Sequence, residues 1–447
     1  MSYNIPLQIR DWADRFLKAR LGSDYSLTYN ESFWELKNCG SDDSICILSI
    51  KNFYTVGSEI GPAFAFSDVQ AHGLGPKSKK TVCWEYNSSG NVCNFDIIGF
   101  AYWALNRLEE YNVAPTALDK YGRFKSSHSH AFLNDYLDRP LVDEWIEILR
   151  VKCKEVWPEA QLNTFNFDIE ISHDVDSVLR YGAISPTLFV KKLFRGFGSE
   201  NFWRFIYAPI SYLTQNIYLS PHDPENNFDW IMDISDRAEI KSTFFFITGQ
   251  DVLRVDPRYR FNSTAVRRLL KKIISRGHCI GLHPSLNSTF HSGHIKSEWR
   301  ALQRVTNIIG GNPISARMHY LQWVAGVTPR ELRIAGICRD YSLGYADRAG
   351  FRASTCYHYE LFDPVSLVSY GIEMRPLIIM DRTLTSSSYM NLNEDEILNR
   401  VKELSRKCHS VSGRLSILWH NGQLASRQQQ ELYVRLLKVI LDFREVA

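Results

Sequence analysis

From residue 163 onward, short apolar runs alternate with amphipathic stretches. Phe165–His173 (FNFDIEISH) alternates apolar and polar positions with period two, as a strand with one buried face does. Compact apolar runs at Ser242–Thr248, His278–His283, Ile314–His319, Glu373–Met380 and Arg414–Trp419 predict further strands. Between them, a period near 3.6 predicts helices over Asn227–Glu239, Ser263–Arg276, Lys296–Ile309, Thr328–Gly336, Glu394–Cys408 and Arg427–Arg444. Strand-then-helix units in series imply parallel strands, in an open sheet or a barrel. Polar residues fall where these strands end: Asp174, His283, His319, Asp381 and His420. Functional groups collect at that end of a parallel barrel, so the pattern favours a (β/α) barrel with one functional rim over residues 161–447.

Residues 1–160 read differently, as a smaller α/β domain of unassigned role. Ser44–Ile50 (SICILSI) reads as a strand, Ile97–Tyr111 as a helix, and Pro140–Trp157 as a second helix ending before Pro158. Its one histidine cluster, His128 and His130, sits in a Ser-rich loop and reads as solvated. The connection after Asp176 is long, an insertion over 177–226 rich in Phe, Tyr, Lys and Arg. A connection of this length carries its own helices or a function. It reads first as a helical cap, and its Leu193–Tyr212 stretch as a candidate for peripheral membrane contact.

At 447 residues two domains are expected, and no stretch approaches the length of a membrane span. Lys plus Arg exceed Asp plus Glu by only 52 to 49, which gives no argument for a nucleic-acid partner. Nine scattered cysteines form no CxxC pair, and charged Arg10, Asp11 and Asp14 interrupt the N-terminal stretch. Both features lead us to expect a cytoplasmic protein, in solution or at the inner face of the membrane.

The chemistry concentrates in a few short runs. In Ser172-His173-Asp174-Val175-Asp176, residues two apart share a strand face, so Asp174 and Asp176 point into one site. Adjacent carboxylates are costly unless a cation or proton lies between them. Gly277-His278-Cys279-Ile280-Gly281-Leu282-His283 delivers an imidazole, the commonest neutral metal ligand, at a strand exit. Arg317-Met318-His319-Tyr320 places Arg and His on one strand face. Ile417-Leu418-Trp419-His420-Asn421 brings His420 to the rim, where a general acid could act.

Taken in order, these runs resemble the polysaccharide deacetylases (carbohydrate esterase family 4, the nodulation-type deacetylase domain), in a divergent bacterial branch associated with surface polysaccharide such as O-antigen or capsule. The resemblance covers the C-terminal region only and implies a distorted (β/α) barrel. It implies Asp174 as catalytic base, Asp176 and His283 as metal ligands, Arg317 as the residue orienting the base, the Tyr320 amide as oxyanion donor and His420 as general acid. The spacing is Asp-x-Asp where most members have Asp-Asp. Where most members carry a second metal histidine this chain has Asn287, and where they carry a proline it has His319, a candidate replacement ligand. Asp340 is a loose match to the family's fourth motif. His173, Asp381, Trp419 and Asn421 are further candidates by their position.

What the resemblance implies is a metal-dependent hydrolase, zinc foremost with nickel, cobalt or manganese as alternatives. It would remove an acyl group, acetyl first, from the N-acyl sugar of a nucleotide-linked or lipid-linked precursor. Asn287 supports a second reading, a catalytically degenerate barrel that binds carbohydrate or assists biosynthesis, because fold alone guarantees no activity.

Overall fold

The computed structural model describes residues 4–30, 32–57, 84–87, 90–93, 95–182, 184–194, 204–249 and 259–444. Its strands are β1 (Tyr25–Asn30), β2 (Phe33–Asn38), β3 (Ser44–Leu48), β4 (Trp84–Asn87), β5 (Gly90–Cys93), β6 (Asp168–Val175), β7 (Thr243–Phe246), β8 (Cys279–Leu282), β9 (Ser315–Ala316), β10 (Arg339–Asp340), β11 (Tyr359–Asp363), β12 (Val368–Met374), β13 (Ile379–Met380) and β14 (Arg414–Leu418).

They form two sheets. The first, in the order β1-β2-β3-β5-β4, is antiparallel except where β3 meets β5. The helix Leu7–Leu21 contributes Ile9, Trp12, Ala13, Leu17 and Leu21 to the core beside this sheet, a spacing that keeps one helical face apolar. Ile97–Leu105 is apolar all round and wholly buried, with Asp96 capping it through the Gly99 N–H. It stops six residues short of the expected Tyr111, because Arg107 turns left-handed at φ 53° and its guanidinium bonds Glu110 instead. His130 is not solvated as expected. It accepts or donates at 2.7 Å to the Tyr136 hydroxyl and packs edge-on against Trp103, and burial lowers its pKa to about 4.

The second sheet has the order β11-β12-β10-β9-β8-β7-β6-β14-β13. It is parallel from β12 to β13, with β11 antiparallel at one edge. β7 reads Thr-Phe-Phe-Phe and is buried throughout, as a central parallel strand covered on both faces must be. The fold is thus mixed α/β with a large, mostly parallel sheet, and among the described residues the ladder runs from β11 to β13.

Three strands differ from expectation for local reasons. Glu373–Met380 is two strands rather than one, because Pro376 has no N–H for a ladder and β12 ends before it. Ile314–His319 shrinks to Ser315–Ala316, after which the chain enters a single 3-10 turn at His319–Leu321. β11 hairpins onto β12 through a register shift between Glu360 and Phe362, an irregularity that hides its alternation.

The two sheets meet at a charged seam. Arg352 donates to both carboxylate oxygens of Glu110, at 2.9 and 2.6 Å, and to the Gly344 carbonyl. Asp143, fully buried, accepts from Arg20, from the Thr355 hydroxyl and from the Cys356 N–H. Each charge is buried with a partner, the condition under which burial is tolerable.

Among its described residues the insertion has two helices, Pro186–Phe194 and Arg204–Thr214, stacked through Phe189 on Tyr212 at 4.6 Å. Among the described residues no helix is long and apolar enough to cross a membrane.

Candidate active site

At the C-terminal end of the parallel sheet, β6 runs two residues beyond the expected His173. Period two then sorts its side chains. Ser172 and Asp174 lie on one face, with Asp176 just past the strand, while His173 and Val175 face the other way. His173 therefore leaves the site: its Nδ1 bonds the Trp419 carbonyl at 2.7 Å, its ring packs against Phe244, and burial lowers its pKa to about 4. Trp419 shares that outward side and packs on Tyr433.

Asp174 is buried and held by Arg317, whose Nη1 donates to Oδ1 at 3.0 Å. Arg317 is itself fully buried. Its Nε donates to the Tyr341 carbonyl, and its guanidinium lies 4.7 Å above the Phe245 ring. Gly281 in β8 makes room for that ring, since an added Cβ would collide with it. The glycine in Cys-Ile-Gly-Leu-His therefore serves the arginine that follows the neighbouring strand β9.

His283 leaves β8 with Nδ1 bonded to the Arg317 carbonyl, which aims Nε2 into the site. Nε2 lies 3.6 Å from Asp174 Oδ2 and 3.6 Å from Asp176 Oδ1. His319, from the turn after β9, brings Nε2 to 3.5 Å from the same Asp176 oxygen. One ligand atom each from Asp176, His283 and His319 lies within 4.8 Å of the others. His283 Nε2 and Asp176 Oδ1 are buried and have no hydrogen-bond partner among the described residues. Two imidazole nitrogens and a carboxylate oxygen facing one point suit a divalent cation of the zinc type.

Opposite them, His420 follows β14. Asp381 grips it twice, accepting from the His420 N–H at 2.6 Å and bonding Nδ1 at 2.7 Å. His420 Nε2 is 3.9 Å from Asp176 Oδ2. Burial works against the His420 imidazolium, but the Asp381 carboxylate, with Asp176 and Asp174 beyond it, raises its pKa to about 9. For Asp176 desolvation also opposes charge, yet the imidazoles of His283, His319 and His420 hold its carboxyl well below the usual range.

Asn287 spends its side-chain oxygen on Gln322 rather than on this group. It sits left-handed at φ 68° and pairs with Gln322, giving its N–H to Oε1 at 2.8 Å and taking Nε2 at 3.0 Å. Asp340 also stands apart, bonded to Trp323 Nε1 and the Ser342 N–H, with burial raising its pKa to about 6. Asn421 braces the base of the insertion through the Ser177 and Glu225 carbonyls. Arg317 and His319 do not share a strand face, since β9 ends at Ala316.

One wall of the site comes from the N-terminal part of the chain, where the sequence shows no catalytic pattern. Tyr320 and Leu321 are both left-handed, at φ 60° and 54°. Such a pair is strained without support. Arg123 supplies it, donating to the Tyr320 carbonyl at 2.7 Å and to the Tyr389 hydroxyl at 3.0 Å while bonded to Asp119. Tyr121 packs on Tyr320 with ring centroids 4.7 Å apart, and Gln322 donates to the Tyr121 carbonyl. These partners lie about 200 positions away in sequence, and no local pattern marks them.

Residues 12–158 match the model of a family of unknown function, DUF7033. No curated protein matches. Among solved structures, one from Mycobacterium smegmatis, described as a polysaccharide deacetylase, is 14% identical at TM-score 0.40, covering 62% of this chain and 85% of its own. The Xyl-CE4 domain of a multidomain xylanase from the hindgut metagenome of Trinervitermes trinervoides is 12% identical at TM-score 0.28, with coverages of 63% and 84%. A CE4-family pseudoenzyme from Bacillus anthracis is 11% identical at 0.30, with 63% and 62%. Likenesses this slight carry no argument.

Proposed function

We propose that this protein is a metal-dependent hydrolase that removes an acyl group, acetyl foremost, from an N-acyl sugar. The substrate we have in mind is a nucleotide-linked or lipid-linked precursor of bacterial surface polysaccharide. The observation that carries the reading is one of placement: Asp176, His283 and His319 converge, with Asp174–Arg317 on one side and His420–Asp381 on the other. In this reading the large sheet is the wall of a distorted barrel, drawn together by loop bonds such as that from the Leu377 N–H to the Leu343 carbonyl.

Asp176, His283 and His319 would hold the cation, zinc most readily. A divalent ion there supplies Lewis acidity, polarising an acyl carbonyl and making water more acidic. Asp174 receives the proton of the attacking water at Oδ2, while Arg317 fixes the carboxylate's rotation through Oδ1. The Tyr320 amide donates to the oxygen on which charge develops. His420, charged and oriented by Asp381, gives its Nε2 proton to the departing sugar nitrogen. The degenerate alternative drew its support from Asn287. With His319 among the converging atoms, three side chains remain to hold a cation.

The test is elemental analysis of purified, unchelated protein beside His283→Ala, followed by acetate release from a panel of N-acyl sugar nucleotides. We expect about one divalent ion per chain, with at least about a hundredfold weaker binding in the variant, because a lost ligand costs more than a lost supporting contact. No ion in either protein after soaking with zinc, nickel, cobalt or manganese sinks the proposal.

A further inference from the structure

The insertion's two helices wear their apolar residues on the wrong side. Along Arg204–Thr214 and just beyond it, Ile206, Ile210, Leu213 and Ile217 are 48–78% exposed, at spacings of four, three and four that form a single stripe. Ala208 and Ser211, on the opposite face, are fully buried, so the helix is seated on the protein with its apolar stripe outward. On Pro186–Phe194, Val190 and Phe194 are likewise exposed, with Lys191 between them also exposed. Single exposed apolar residues are ordinary, but a contiguous set on neighbouring helices marks an interaction surface.

The charge on these helices selects the occupant. Neither contains an Asp or Glu; Lys191 is exposed beside Val190, and Lys192 donates to the Arg180 carbonyl at 2.8 Å. A second copy of the same basic face would meet it with like charge. A surface that accepts apolar side chains and attracts cations is the headgroup layer of an anionic membrane. The helix pair is anchored beside the active site: Tyr181 packs on Phe189 and Tyr207, and Asn421, next to His420, bonds the Ser177 and Glu225 carbonyls on either side of the insertion. We infer that the exposed face formed by Val190, Lys191, Ile206, Ile210, Leu213 and Ile217 docks on an anionic lipid surface. This inference is independent of the metal chemistry.

Flotation of the full chain with phosphatidylcholine vesicles, with and without phosphatidylglycerol, tests it. We expect flotation only when phosphatidylglycerol is present, weakening as salt is added. Ile210→Glu with Leu213→Glu should weaken binding by at least about tenfold, and Lys191→Glu by about fivefold. All three positions are exposed, and an unchanged melting curve establishes that the variants fold. The inference fails if the parent protein does not float with anionic vesicles, or if the double variant floats equally well. It also fails if the parent is a dimer that the double variant converts to monomer, since the stripe would then be a contact between copies.

Discussion

The parallel sheet carries two polar clusters at its opposite ends, and they are built on opposite principles. Where β6, β10 and β14 begin, Glu170, Asp168, Arg339 and Arg414 meet Glu373 and Arg375 from the end of β12, three carboxylates against three guanidinium groups. The Tyr341 hydroxyl also bonds Glu170, and His358 lies 3.4 Å from it. At the other end, among the described residues, Arg317 pairs with Asp174, while Asp176 and Asp381 are faced by imidazoles. The first cluster neutralises itself. The second keeps excess negative charge, a state that fits a ligand better than it fits stability.

Removing one cation from each end should break the symmetry most sharply. Arg317→Leu leaves Asp174 buried without its guanidinium and should cost about 3–5 kcal/mol of unfolding free energy. Arg375→Leu leaves Glu170 with His358 nearby and a partly open surface, and should cost about 1 kcal/mol. Urea denaturation measures both, and equal losses would erase the distinction.

The pH dependence of stability separates the ends next. Burial opposes the Glu170 carboxylate, but His358, Arg375 and Arg414 lower its pKa to about 2. Its contribution, up to about 3 kcal/mol, is therefore present above the ordinary carboxylate pKa and fades as pH falls toward 2. In the metal-free protein His420 runs the other way. Raised to about 9, it stabilises fully below pH 6.5, and that contribution, again about 3 kcal/mol at most, is lost as pH rises through 9. Glu170→Gln should flatten the acid limb of stability against pH, and Asp381→Asn the alkaline limb. An alkaline limb untouched by Asp381→Asn would mean the pair does not hold the proton.

The smallest effect concerns the wall from the N-terminal part. Arg123→Ala should weaken zinc binding by about tenfold, as loss of a group that orients a ligand does, because His319 and Tyr320 share one turn. Calorimetric titration with zinc reads it, and unchanged affinity in a folded variant would confine Arg123 to packing.

Much of the site was legible because its residues sit where strand periodicity ends. Asp174 and Asp176 share a face by period two, and the same rule places His173 on the other, so its exclusion could have been read from the strand. His283 and His420 follow apolar strands directly. His319 was harder, since β9 has only two residues and the ring reaches Asp176 by a turn whose left-handed backbone no residue in His-Tyr-Leu announces. Asn287 reads as a lost ligand, but its conformation suits the turn it occupies. Arg123 and Tyr121 were out of reach, because their contacts are tertiary and their neighbours in sequence carry no repeating pattern.

The seam between the sheets bears on how such a chain can be divided. Arg352 is fully sealed, and both oxygens that neutralise it belong to Glu110, more than 200 positions earlier. A protein cut near residue 160 would be left with a stranded interior guanidinium and, at Thr355 and Cys356, donors whose acceptor Asp143 had gone. The strands of the parallel sheet are thus not a cassette that can be lifted out and fused elsewhere. Any exchange of parts between proteins of this design would have to carry the first sheet along or rewrite the joint.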